Sequence, residues 1–433
     1  MTRVAVYLPD GSPGPGRLGE AELDVVDAAA AELVLPEATV SDERGGRLLD
    51  DDLMFDPAAG GGPLAAEAAD RQARAFGVVN AAFHTQRALR YAADLLGHPV
   101  PHLIVRIGMH DQPRRWRGGH YRLPEPAGDE PVRVHPHGEV HLGGGAAFVH
   151  SAAGRYFHAP AHNAAIVCHE VGHHLTRHTA DFRLNRLRPP TDQISGKTGI
   201  DEGTADVIAA IMLGHPDIYG WHRAHIPESD QRRRKLDPRW TMAAFRGGRD
   251  HDQHADGTVW ASACWSARQR VITATWPPSR FDAMLLRGLE QFDRDNPPSA
   301  SSLNGTAERT QADALRPRRH FSRLLAAMTA TDPELAPVVL AAMAEHRIRV
   351  GASNSTLRDA AQNGGPGDTP YCDWPPSLWR ADQPDLHRHR PHRGRPGGPV
   401  SHAAAGPRKS LSERQPVRTT CLREWGGGIA RLD

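Results

Sequence analysis

Cys168–His178 reads CHEVGHHLTRH, four histidines and one glutamate in eleven residues. His169, Glu170 and His173 stand in the order H-E-x-x-H. On a helix, residues four apart share a face, so both imidazoles reach one divalent ion and Glu170 flanks the same side. The chemistry such a trio carries is hydrolytic. Zinc polarises a carbonyl and lowers the pKa of a water to about 7, and the carboxylate takes the proton. In a chain with 26 histidines the bare motif is a weak signal, so its weight rests on finding a third ligand.

A catalytic zinc wants three protein ligands and one open position. One arrangement extends the motif to HExxHxxGxxH, which demands Gly at 176 and His at 179. Both positions are Thr here, which closes that route. The other common arrangement places a glutamate on the next helix. In GIDEGTAD, Glu202 follows His173 by 29 positions, and Asp206 comes one turn later on the same face. A zinc-bound histidine usually gives its other N–H to a carboxylate, and Asp206 is placed to do this for His169. The same two acids would also suit the positive end of a helix dipole without any metal.

Nearby residues draw plainer readings. His174 and His178 are expected to face solvent or to lie outside the ligand sphere, and Cys168 to face the packed side of its helix. Trp260 and Trp265 read as core anchors. SGKTG (195–199) is half a phosphate loop whose leading glycine would be residue 191, a threonine, so nucleotide binding is not expected.

These residues need two helices to position them. The first is expected from Asn163, an N-cap type, to His178, with Val167, Val171 and Leu175 on one stripe. The second is expected over Asp201–Leu213, with Ala205, Ile208, Ala209 and Met212 apolar. The loop between them holds Pro189, Pro190, Gly196 and Gly199. Upstream, residues 79–97 repeat apolar positions near a 3.6 period and stop at Gly97 before Pro99. HLIVRIGMH (102–110) reads as a buried strand and GEVHLGGG (138–145) as a short one.

Residues 1–70 open with a strand candidate, Val4–Leu8, and otherwise read as a loop-rich N-terminal extension. Residues 71–200 read as an α+β lobe carrying the HExxH helix. Residues 201–350 read as a helical lobe carrying the third ligand. From Gly351 the periodic pattern stops, and 351–433 reads as a Pro/Gly/Arg-rich disordered tail. The fold class expected is α+β.

The pairing of HExxH with E-G-x-A-D on a following helix resembles the gluzincin metallopeptidases of the thermolysin and fungalysin group. VNAAFHTQRALRYAADLLG (79–97) resembles that family's helix before its edge strands, GEVHLGGG its strand along the cleft, and HADGTVWASACW (254–265) a fungalysin segment. The likeness covers roughly 75–350. It implies a two-lobed thermolysin-like fold, with a small mixed-sheet lobe, a helical lobe and the zinc helix between them, and a zinc-dependent endopeptidase acting on peptide or protein substrates. Carried over, His169, His173 and Glu202 hold one Zn2+ per chain, Glu170 is the general base, and Asp206 orients His169. His254 stabilises the oxyanion, with His251 its rival for that role; such a side-chain donor supplies about 3 kcal/mol.

The sequence also departs from the family. GGHYR (118–122) lacks the asparagine that usually holds substrate backbone, and neither a secretion signal nor a long pro-region precedes the motif. Residues 179–200 carry arginines and prolines where calcium-binding acids would stand, so calcium is not assigned. The alternative reading is therefore a catalytically impaired thermolysin-like fold acting as a peptide- or protein-binding scaffold. Glu170 discriminates, since a pure scaffold needs no base there.

A net charge of +1 with 24 % charged residues gives no global argument for nucleic acid or membrane partners. The basic run at 387–395, HRHRPHRGR, reads as a solvated tail. No apolar window approaches a membrane span. Four cysteines without a CxxC pair fit a reduced, cytoplasmic protein, or a secreted one if the true start lies upstream.

Overall fold

In the computed structural model, residues 1–11, 16–50, 52–57, 66–109, 118–122, 138–145, 148–151, 154–157, 159–179, 199–218, 234–246, 253–295 and 321–363 are described. Val4 and Val6 alternate with more exposed neighbours on Thr2–Leu8 (β1), which pairs antiparallel with Arg17–Leu23 (β2). Asp27–Ala29 (β3), Glu32–Val34 (β4) and Ala38–Asp42 (β5) follow as an antiparallel meander. The N-terminal segment expected to be loop-rich therefore holds five strands, and the last three belong to the main sheet. Their exposed positions are filled by Glu, Asp and Ala, residues of low strand propensity, which hid the alternation of Leu33, Leu35, Ala38 and Val40.

Ala66–Leu96 (α1) makes the crossover that a parallel partner requires, and Leu103–Ile107 (β6) returns alongside β5, with Val40 opposite Val105. Gly97 ends α1 at φ +81°, its N–H on the carbonyl of Ala93 at 2.8 Å. Gly119–Arg122 (β7) and Glu139–Leu142 (β8) complete a mixed six-stranded sheet in the order β3-β4-β5-β6-β8-β7. A separate hairpin pairs Phe148–Ser151 (β9) with Gly154–Phe157 (β10). β6 buries one face only, whereas all four residues of β8 are buried. Within α1, buried polar residues fasten the β1–β2 hairpin. Asn80 accepts the Tyr7 N–H at 3.0 Å, and Gln86 accepts that of Asp24 at 3.0 Å.

Ala164–Thr179 (α2) starts where its cap lies, since Asn163 Oδ1 accepts the Ala165 N–H at 2.9 Å. Val167, Val171 and Leu175 are all buried, a stripe in which each side chain contributes roughly 1.5–3 kcal/mol of burial. Gly199–Leu213 (α3) crosses α2 at Gly172, where a Cβ would stand 2.7 Å from Ala205 Cα. Gln253–Thr273 (α4) crosses α3 at a second bare contact, where a Cβ on Gly257 would lie 2.7 Å from the Gly203 nitrogen. Trp260 is fully buried there and donates to Thr204 Oγ1 at 3.2 Å. The expected boundary at 200/201 falls inside the first turn of α3, whose backbone packs closely against both α2 and α4.

Pro278–Asp295 (α5), Phe321–Thr331 (α6) and Ala336–Glu345 (α7) complete the helical part. Asn354–Asn363 (α8) lies inside the stretch expected to be disordered. It has only Leu357 and Ala361 as buried apolar anchors, and Asn354 Oδ1 accepts the Phe321 N–H at 3.0 Å. Tertiary contact, more than periodicity, makes this helix. The basic run at 387–395, His251 and most of the 179–200 loop lie outside the described residues.

The architecture is α+β: a small mixed sheet with helices packed around it. No helix among the described residues is long and apolar enough to cross a membrane.

Candidate metal centre

α2 presents His169, Glu170 and His173, and α3, pinned against it at Gly172, presents Glu202 from its first turn. His169 Nε2 and His173 Nε2 stand 3.1 Å apart. Glu202 Oε2 is 3.3 Å from the first and 3.4 Å from the second. Ligands held about 2.0–2.2 Å from a tetrahedral ion stand about 3.3–3.6 Å from one another. The three atoms therefore already sit at the corners of a zinc-sized triangle, and all three side chains are almost fully buried.

The far nitrogens decide what these atoms are. His169 Nδ1 faces Asp206 Oδ1 at 2.8 Å, and His173 Nδ1 faces Asp201 Oδ1 at 3.0 Å. Each acid can accept a hydrogen bond from an Nδ1–H, and that tautomer puts the lone pair of each ring on Nε2. Two lone pairs and a carboxylate oxygen then point at one another in a buried site. A divalent cation would satisfy all three atoms at once, whereas the Arg234 guanidinium, with Nη2 3.4 Å from His169 Nε2, reaches one of them. The residues present fit a metal.

Asp206 is itself supported. Burial acts to raise its carboxyl pKa, but the charge of Arg234 and hydrogen bonds from His169 and Arg234 outweigh this and hold it below the ordinary carboxylate range. Arg234 Nε donates to Asp206 Oδ2 at 3.1 Å, and its Nη2 donates to Oδ1. Sequence reasoning missed both Arg234 and Asp201. Asp201 had a usable signal, an acid adjacent in sequence to the expected third ligand Glu202. Arg234 had none, since it is the last of three consecutive arginines and only the chain's return to α3 singles it out.

Glu170 flanks the histidines as expected, with a ligand-type oxygen within 4.8 Å of the donor nitrogens of His169 and His173. Its Oε2 is buried and has no hydrogen-bond partner among the described residues. Gly119 of β7, the last strand of the sheet, lies over it. A Cβ at Gly119 would come within 3.0 Å of Glu170 Cγ, so only glycine lets this strand pass so close.

His254, on the first turn of α4, reaches the site from the third side. Its Nε2 is 3.2 Å from Glu202 Oε2, and its ring stacks on that of His169 at 6.4 Å between centroids.

His174 corrects the reading of a solvent-facing ring. It is fully buried between helix and sheet, with Nε2 2.8 Å from the Pro101 carbonyl and Nδ1 3.2 Å from the Tyr121 hydroxyl. His178 meets it edge-on, with 4.4 Å between ring centroids. Cys168 is fully buried, and burial pushes its thiol up to about 12, which leaves it inert as a nucleophile.

No protein-family model matches the chain, and no curated protein matches it. What can be said of the site rests on its own geometry.

The two supporting acids yield a graded expectation. Asp201→Ala and Asp206→Ala should each weaken zinc binding by about 10–100-fold. Asp206→Ala should lie at the larger end, because it also strands the buried Arg234 charge. Competition against a coloured chelator measures both. Equal affinity in both variants and the parent would remove these acids from the site.

Proposed function

We propose that this chain is a zinc-dependent endopeptidase of the thermolysin-like, gluzincin type, its zinc helix lying between a sheet-bearing lobe and a helical lobe. One observation carries the reading: two lone pairs and a carboxylate converge at 3.1–3.4 Å beside an unengaged glutamate oxygen.

His169, His173 and Glu202 would hold the ion, with Asp206 and Asp201 fixing the two rings. When bound, zinc supplies Lewis acidity at a scissile carbonyl and brings a water's pKa to about 7. Glu170 takes the proton of the attacking water and returns it to the leaving amine. His254 donates to the oxygen that gains charge as the carbonyl is attacked. β7, at the edge of the sheet among the described residues, offers its backbone to an extended peptide laid down as the next strand. Gly119 places that strand directly over Glu170. The backbone amides of β7 can take over the alignment that the missing asparagine would otherwise provide.

Metal analysis should find about one zinc per chain. Cleavage of an unstructured protein such as casein should stop with a chelator and return on adding zinc. Casein cleavage that persists after the metal is stripped would refute the assignment.

A further inference from the structure

We propose that His254 is a fourth, displaceable ligand, closing the metal site until substrate arrives. This rests on the zinc reading above and goes beyond it, since a donor to the oxyanion need never touch the metal.

Distance is the first reason. The 3.2 Å from His254 Nε2 to Glu202 Oε2 is a ligand-to-ligand edge of the same size as the three among His169, His173 and Glu202. His169, Glu202 and His254 each offer a donor atom within 4.8 Å of the others. The first three ligands leave one tetrahedral position, and His254 brings an imidazole nitrogen to the cluster on its Glu202 side.

Backbone packing is the second. Three residues after His254, Gly257 abuts α3, and an added Cβ there would sit 3.1 Å from Glu202 Cβ and 2.7 Å from the Gly203 nitrogen. A side chain at either glycine would push the helices apart and carry His254 away from Glu202. The two glycines therefore set the reach of residue 254. Thr258 Oγ1 donates to the His254 carbonyl at 2.9 Å, so the first turn of α4 is regular where the histidine leaves it.

Exposure is the third. The Glu202 side chain is 1 % exposed, but that of His254 is 40 % exposed. It alone of the four can rotate outward without opening the core. Displacement is a ligand exchange: the bond from Nε2 breaks as one from a water or carbonyl oxygen forms, with no change in redox state. The released neutral ring can carry its proton on either nitrogen and is then free to donate to the substrate oxygen. A fixed backbone and an exposed side chain together give one residue both positions.

X-ray absorption of the zinc-loaded full chain counts imidazoles directly. We expect three in the parent without peptide and two in His254→Ala, with zinc dissociating at least 10-fold faster from the variant. Two imidazoles in the parent, or equal zinc affinity in parent and variant, would overturn the proposal while leaving the peptidase reading intact. A chain that takes up no zinc at all would overturn both.

Discussion

Glu170→Gln should lower the turnover of casein by about 10²–10⁴-fold while the zinc content stays at that of the parent. The amide keeps the shape and buried volume of the side chain, so α2 and the Gly119 contact are undisturbed. It cannot accept the proton of the attacking water, which is the role proposed for Glu170. Its Oε2 is buried, lies beside the metal-binding atoms and has no partner among the described residues. A buried carboxylate oxygen left unengaged costs about 1–3 kcal/mol or more, a cost that service as the proposed base would offset. Zinc content and casein hydrolysis measured on one preparation separate the outcomes. Retained zinc with full turnover would leave Glu170 without a role as base and favour the scaffold reading.

How much of this was legible in the sequence depends on where the information lies. α2 and α3 were readable because an Asn cap, a stripe of Val167, Val171 and Leu175, and alternate small and apolar residues in Ile200–Met212 all act locally. Their convergence was suggested by spacing alone, yet it is enforced by Gly172 against Ala205, a contact no single-chain pattern announces. The placement of His254 at Glu202 likewise hangs on Gly203 and Gly257, two glycines 54 positions apart. β3 and β4 are hard to read because their exposed positions are acidic or alanine, β5 because it is short and buries Asp42, and sheet membership is conferred by β6 sixty-odd residues later. Asp201 was overlooked because Asp206 had already satisfied the expectation of one supporting acid. That the His174 ring is buried and not in solvent could not be read locally, because its partners are Pro101, ahead of β6, and Tyr121 of β7.

Glu202→Gln should change the sign of its effect on thermal stability with the metal. Stripped of metal, the parent holds Glu202 Oε2 against the Nε2 atoms of two rings whose Nδ1 atoms face Asp206 and Asp201, with only the half-exposed His254 on its open side. Electrostatic repulsion among these buried acceptors opposes folding. A glutamine of equal volume removes the charge, and its N–H can donate to one of the two nitrogens. The variant should therefore melt at or above the parent in chelator. With zinc the order reverses. Ligand that binds only the folded state stabilises it by about 4 kcal/mol at a thousandfold excess over Kd, and a neutral amide in place of the carboxylate forfeits most of that gain. Melting curves in chelator and in zinc, on parent and variant, give four transitions whose crossing is the signature. A variant destabilised equally in both conditions would mean that Glu202 serves packing alone, and the convergence of His169, His173 and Glu202 would then have no metal to explain it.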